Sequence, residues 1–386
     1  MSVIEDVRVL VMALALPGVL LVFSWPAFAE FRPGVAQWRS TAGEHIDAHG
    51  GGVMLHQGVY YWYGERRNHE VEGVRCYRSE DLTTWEPLGV VLEAEATVGH
   101  DLQPGCKMER PKVIYNADTG KFVMWFHLEL AGMSYEAART AVAVADDPAG
   151  PFTYRRSFRP HPGIMPVNRP VANVRGRHEW GRMIDAVEGD EEKNRLGRYL
   201  IRDLAVGQMA RDMTVFQDDD GTAWHVHSAE ENRTLHFARL TDDYLNFSGE
   251  YYRVLPEGAN EAPAIFKHEG RYYLIASGLT GWKPNKARSY VADRIQGPWE
   301  ALGNPCVGGP NPHNGMGPEL TFGGQSTFVL PVSDGEGGTA GYIAMFDVWQ
   351  RPNLGESRYI WLPITFEDAR PIVRWRDTWK LSELGE

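Results

Sequence analysis

A chain of 386 residues with 13 Trp, 16 Tyr, 41 Gly and 24 Pro has the length of one large domain or two ordinary ones and the composition of a folded, turn-rich protein. Its formal net charge of −12 makes a phosphate backbone an unsuitable partner, which excludes nucleic acid and favours a neutral, polar ligand. Its three cysteines, Cys76, Cys106 and Cys306, allow at most one disulfide pair, and without a CxxC spacing they exclude a zinc knuckle.

Residues 1–29 read as a signal peptide. Arg8 precedes an apolar run from Val9 to Phe23, and Ala27-Phe28-Ala29 offers a small-x-small cleavage site. The expectation is a secreted or periplasmic protein whose mature chain starts near Glu30. The run is short for a membrane span, and no second run of spanning length follows, so no stable span is expected after cleavage.

The remainder, 30–386, reads as one domain of repeats. Five segments pair a glycine with an aromatic or apolar strand: Gly58-Val59-Tyr60-Tyr61, Gly120-Lys121-Phe122-Val123, Gly221-Thr222-Ala223-Trp224, Gly270-Arg271-Tyr272-Tyr273 and Gly341-Tyr342-Ile343-Ala344. Each follows another short apolar strand, so each repeat opens with a hairpin whose glycine supplies a positive φ. Four repeats close on an aromatic, Trp85, Phe152, Phe247 or Trp299, expected to pack between neighbouring sheets. Repetition of the whole unit predicts an all-β fold, a five-bladed β-propeller, rather than a sandwich with coincidental hairpins. Residues from about 161 to 211 interrupt the repeat as an insertion between blades 2 and 3. Within it, Leu196, Tyr199, Leu200 and Leu204 stand at helical spacing.

In a propeller the first strand of each blade lines the central channel. The residue opening each such strand is polar: His49, Glu109, Asp212, Glu261 and Gln325. The first four lie nine to eleven residues before their glycine, and Gln325 lies farther because 333–340 lengthens its hairpin. Glu109, Asp212 and Glu261 would then share one pocket, where like charges raise the pKa of at least one member. A carboxyl raised toward neutrality is what a general acid needs, and glycoside hydrolysis requires such an acid with a partner that activates water. That chemistry needs no metal and no cofactor; a calcium site from the same carboxylates is the alternative.

These residues carry a resemblance. Arg211-Asp212-Met213-Thr214 through Asp220-Gly221 resembles the Asp-containing motif of glycoside hydrolase family 43, and Glu261-Ala262-Pro263 resembles its general-acid motif. Ala48-His49-Gly50-Gly51-Gly52, Tyr61-Trp62-Tyr63-Gly64-Glu65, Glu109-Arg110-Pro111-Lys112, Glu230 to His236 and Gln325-Ser326-Thr327 are similar to its exo-β-1,3-galactanase-like branch. The resemblance implies an inverting glycosidase acting on oligosaccharide or polysaccharide of plant type. Glu261 would be the acid, Asp212 would tune it, Gln325 would position or activate the water and Glu109 would bind the terminal sugar. Most of the family carries an Asp as base in the first blade. Here that position falls near His49-Gly50, Asp47 stands out of register, and an amide is a poor base, so the base stays open among Gln325, Glu109 and Asp47.

Other residues carry two readings each. The run Gly50-Gly51-Gly52 admits a sugar ring to the backbone or makes a tight strand entry. Thr280 and Trp282 lie on a blade-4 loop, where Trp282 either stacks on a sugar or packs a blade. His49 and Glu231 are candidates for binding hydroxyls. His225 and His227 share a strand face, as a metal pair or, more simply, as packing. Another family 43 specificity (arabinofuranosidase, xylosidase or galactofuranosidase) is the alternative enzyme, and a sugar-binding propeller without catalysis is the non-enzymatic one.

Overall fold

The computed structural model describes residues 30–35, 38–67, 72–168, 197–281, 283–350 and 353–385. The signal-peptide reading, most of the 161–211 insertion and Trp282 lie outside the described residues.

The alternating apolar segments form five antiparallel meanders, each with its strands hydrogen-bonded in chain order. Blade 1 is His49–His56, Val59–Arg66, Gly73–Ser79 and Glu86–Glu93. Blade 2 is Lys107–Asn116, Lys121–Glu129, Arg139–Ala145 and Thr153–Phe158. Blade 3 is Met213–Gln217, Ala223–Ala229, Thr234–Leu240 and Phe247–Val254. Blade 4 is Glu261–His268, Arg271–Ser277, Arg288–Ala292 and Glu300–Gly303. Blade 5 is Gln325–Ser333, Thr339–Val348, Arg358–Glu367 and Arg370–Arg374. A short strand, Cys306–Val307, adds to blade 5 parallel to its outermost strand. This is an all-β five-bladed propeller, with one described α-helix, α1 (Arg198–Asp203), in the interruption after blade 2.

The closing aromatics pack as their spacing predicts. Each meets an aromatic of the preceding blade: Phe152 on Tyr63 (6.0 Å between ring centroids), Phe247 on Trp125 (5.4 Å), Trp299 on Phe237 (5.5 Å) and Trp85 on Trp361 of blade 5 (6.0 Å). Such edge and tilted pairs each add about 0.5–1.5 kcal/mol beyond area burial. The ring is also tied by the first and last described strands, where Glu30–Phe31 pairs with Trp379–Lys380 and Phe31 stacks on Trp379 at 4.2 Å.

One sequence expectation changes. Gly58, Gly120, Gly221 and Gly270 turn with φ between 66° and 83°, but Gly341 lies inside a strand opposite Val332. In blade 5 the turn falls instead at Asp334–Gly338, where Gly335 and Gly337 supply the positive φ. The three cysteines are all buried and unpaired.

Within the described residues, no helix is long and apolar enough to cross a membrane. In the insertion, α1 places Tyr199 and Leu200 as their spacing suggests, and Leu200 is fully buried against Ala238 and Tyr251 of blade 3.

Candidate active site

Glu109, Asp212, Glu261 and Gln325 stand at or beside the start of the innermost strands of four successive blades, and all four line one open cavity of about 220 Å³ at the hub. The backbone explains how they are aimed. In blades 2 and 4 the pairing register slips just after the site residue, between Glu109 and Lys112 and between Glu261 and Ala264. The next residue is left-handed in each case, Arg110 at φ 54° and Ala262 at φ 53°. A bulge of this kind bends the strand and redirects side chains. Blade 1 repeats the device at His49 and Gly50 (φ 67°).

Arg110 is the pivot of the cavity. Its side chain is 4% exposed. Nη2 donates to Asp212 Oδ2 (2.8 Å) and to Gln325 Oε1 (2.7 Å), and Nη1 donates to the Ser326 carbonyl (3.1 Å). The same Asp212 oxygen accepts from the Ala262 amide at 3.0 Å, which ties blade 3 to the strand that carries Glu261. Gln325 Nε2 donates to Ser277 Oγ at 2.9 Å, so the orientation of its amide is fixed at both ends. Asn232 Nδ2 donates to Glu261 Oε1 at 2.7 Å.

Glu109 is held differently. Tyr135 Oη and Arg67 Nη2 each donate to Oε1 at 2.7 Å, and His127 Nδ1 approaches Oε2 at 3.0 Å. His127 Nε2 lies 2.8 Å from Glu129 Oε1. Arg67 also pairs with Glu65.

These surroundings split the carboxyl groups. Burial, reinforced by the negative charge of Asp212, raises Glu261 to about 7, against the pull of Arg110, Asn232 and Arg211. Burial alone would raise Glu109 as well, but the hydrogen bond from His127 and the charge of Arg67 hold it well below the usual carboxylate range. Burial alone would lower His127; its bonds to Glu109 and Glu129 outweigh this and push it up to about 9. One carboxyl therefore titrates near neutral pH while another stays an anion, a separation of the kind that general acid catalysis uses.

Glu109, His127 and Asp212 bring ligand atoms within 4.8 Å of one another, a grouping that invites a metal. In this structure the same donors are engaged within the site: His127 lies between Glu109 and Glu129, and Arg110 holds Asp212.

Comparisons with known proteins place the fold in a family. Residues 194–320 match the family model described as glycosyl hydrolases family 43. A solved family 43 β-1,3-galactosidase, in complex with galactodeoxynojirimycin, is 47% identical, with a TM-score of 0.81 over 91% of this chain and 100% of that one. The chain belongs to glycoside hydrolase family 43. An exo-β-1,3-galactanase from Clostridium thermocellum is similar at 35% identity and TM-score 0.72, over 91% of this chain and 66% of that one. One from Phanerochaete chrysosporium, solved with β-1,3-galactotriose, is similar at 30% identity and TM-score 0.71, over 92% and 68%. A β-D-galactofuranosidase from Aspergillus niger is 32% identical over 143 residues, which span 35% of this chain and only 40% of that enzyme. This family 43 protein is a glycosidase.

The remaining sequence candidates occupy different places in the hydrolase. His49 lines an adjoining recess with Arg110, Gln325, Asp347 and Trp349, where Ser357 Oγ meets its Nδ1 at 2.9 Å. Burial, with Arg110 and Arg67 nearby, lowers it to about 3, so it is a neutral imidazole. Thr280 shapes its loop, donating to the Lys283 carbonyl at 2.6 Å, while its neighbour Gly281 lines the cavity. Glu231 does not line the cavity and instead pairs with Arg202 and Arg211. Asp47 is buried with its carboxylate 3.8 Å from Arg66 Nε, and it too is absent from the cavity wall, which removes it as a candidate base.

Gly50-Gly51-Gly52 makes a tight strand entry rather than a sugar platform. A Cβ at Gly51 would lie 1.8 Å from the Tyr63 carbonyl oxygen, and one at Gly50 would lie 2.7 Å from Glu65 Oε1. His225 and His227 are fully buried with their Nδ1 atoms 3.0 Å apart, packed against Trp125 and Phe247.

Sequence reasoning passed over Arg110, His127, Tyr135, Arg211 and Asn232, all of which line the cavity. His127 was within reach of a simple count. A hairpin turning at Gly120 sets His127 directly across from Glu109. The same count places Ser277 across from Glu261 and Asp347 across from Gln325.

Proposed function

We propose that this glycosidase releases galactose from the ends of β-1,3-linked galactan by single displacement, with inversion at the anomeric carbon. The observation that carries the reading is the Glu261 carboxyl, at the hub cavity and raised to about 7, beside an Asp212 committed to Arg110. The similarity to a β-1,3-galactosidase and to exo-β-1,3-galactanases along most of the chain supports the substrate.

In this reading Glu261 protonates the leaving glycosidic oxygen and Asp212 keeps it protonated until then. Glu109 accepts hydroxyl protons of the terminal sugar. Gln325, clamped by Arg110 and Ser277, positions the attacking water. A retaining route would need a free carboxylate opposite the acid. Asp212 is engaged by Arg110 and the Ala262 amide, and Glu109 by His127, Tyr135 and Arg67, which favours direct attack by water. The leader pattern of residues 1–29 supports export, so the substrate would be met outside the cytoplasm.

A galactofuranosidase activity is the second reading, favoured by the partial match to the Aspergillus niger enzyme. Incubation with β-1,3-galactotriose and with an aryl β-D-galactofuranoside separates the two. Proton NMR of the first product should show α-galactose from the galactan oligosaccharide. Initial release of the β-anomer would exclude inversion, and turnover of the furanoside alone would exclude the galactanase reading.

A further inference from the structure

The insertion is connected to the cavity by a line of alternating charges. Arg202, in α1, donates from Nε and Nη2 to the two carboxylate oxygens of Asp203, each at 2.8 Å, and the Asp203 side chain is 5% exposed. Arg202 Nη1 then reaches Glu231 Oε1 at 2.8 Å. The other Glu231 oxygen faces Arg211 Nη1 at 3.5 Å. Arg211 donates from Nη2 to the Tyr135 carbonyl at 2.8 Å and forms part of the same cavity wall as Glu261.

The turn that supplies Glu231 is conformationally costly. Glu230, Glu231 and Asn232 are three consecutive left-handed residues, at φ 54°, 57° and 60°. Such left-handed backbone at non-glycine residues is disfavoured and persists only where its surroundings over-determine it. Here Glu230 does so from below. It is fully buried, accepts two 2.6 Å bonds from Arg253, and meets His236 Nε2 at 2.9 Å. One strained turn therefore delivers Asn232 to Glu261 and Glu231 to Arg211 together.

We infer that Glu231 is a positioning residue for the acid: by restraining and neutralising Arg211 at the cavity wall, it sets the charge that Glu261 faces from the insertion. The inference rests on the reading of Glu261 as general acid. The other charged groups facing Glu261 are Asp212 from blade 3, and Arg110 and Glu109 from blade 2, with His127 and Arg67 behind Glu109. Gln325 from blade 5 and Asn232 are neutral. With Glu231 neutralised, Arg211 acts with its full charge and favours the ionised acid. With Arg211 neutralised, the cavity wall loses a positive charge while Glu231 stays paired with Arg202, and this favours the protonated acid.

The test is the pH dependence of kcat/KM on β-1,3-galactobiose for wild type, E231Q, R211Q and the double variant, with melting temperatures alongside. The limb on which activity falls as the acid deprotonates should move to lower pH by about half a unit in E231Q and to higher pH by a similar amount in R211Q, and should return near wild type in the double variant. Limbs that stay in place, or that move the same way in both single variants, overturn the inference, whatever happens to kcat or to melting temperature. E261Q is assayed on the same substrate. Wild-type turnover there removes the acid itself, and the inference with it. Lost turnover in E261Q with an unmoved limb in E231Q removes the inference alone.

Discussion

Arg110 reaches Asp212 at 2.8 Å with the same Nη2 that holds the Gln325 amide oxygen at 2.7 Å. One buried guanidinium thus joins the residue proposed to tune the acid to the residue proposed to position water, across the hub between blades 3 and 5. Its left-handed backbone at φ 54° turns the chain so that Glu109 and Arg110, neighbours in sequence, both reach the cavity.

Replacing Asp212 by Asn should therefore act twice on Glu261. It removes the negative charge that raises the acid and leaves the Arg110 cation less compensated, and both changes favour the ionised carboxylate. The limb of kcat/KM governed by the acid should move to lower pH, with turnover near neutrality down by about 10²–10³-fold. A pH–rate series on β-1,3-galactobiose checks this, and a limb moving to higher pH would contradict it.

Asn232→Ala should shift the same limb the other way. The amide donates to the carboxylate at 2.7 Å and so favours the charged form. Its loss should raise the acid's pKa by some tenths of a unit to about one unit, with a smaller fall in kcat than Asp212→Asn gives. The same pH series reads the outcome.

Gln325→Ala, Glu109→Ala and Asp47→Ala should separate by mechanism. Gln325→Ala frees Arg110 and loses the polar group proposed to hold water, so kcat should fall by about 10²-fold or more. Glu109→Ala leaves Arg67, His127 and Tyr135 without their shared acceptor and should raise KM as well as lower kcat. Asp47→Ala, away from the cavity, should lower the melting temperature with kcat/KM nearly unchanged. Steady-state kinetics of the folded variants would show the order. A Gln325 variant with wild-type turnover would end its assignment.

A group of buried neutral histidines lies in and against blade 3. His161 stacks on Tyr251 at 4.0 Å with neither ring nitrogen hydrogen-bonded within the described residues, and burial holds it well below its ordinary pKa. A histidine with a lowered folded pKa contributes nothing adverse above its unfolded value near 6.5. As pH falls below 6.5 the unfolded state takes up the proton first, and stability is lost. The cost grows as pH falls further below that value. His161→Phe keeps the stacking and removes the titration, so its melting temperature should gain on wild type as pH drops from about 8 to about 5. Parallel melting curves over that range would refute the assignment.

The fold was legible because a propeller repeats its logic. Turn glycines, apolar hairpins and closing aromatics recur in one order, and the hub residues Glu109, Asp212, Glu261 and Gln325 fall at one place in that order. Gly341 misled because two nearer glycines, Gly335 and Gly337, already make the blade-5 turn. The surrounding shell was less visible. Arg110 enters the cavity through a bulge, which strand alternation does not reveal. Tyr135 and Asn232 arrive on connections between strands, where spacing carries no periodic signal. Glu231 shows the same limit: its acidic side chain suggested a sugar contact, while its geometry joins it to Arg202 and Arg211.

Catalysis by this site depends most on Glu261 giving its proton to the leaving oxygen. The direct measurement is kcat for Glu261→Gln on two substrates, β-1,3-galactobiose and an aryl β-galactoside whose leaving group needs no protonation. A loss of about 10²–10⁴-fold on the disaccharide with a far smaller loss on the aryl glycoside is predicted. Equal losses on both substrates, or none on the disaccharide, would contradict it.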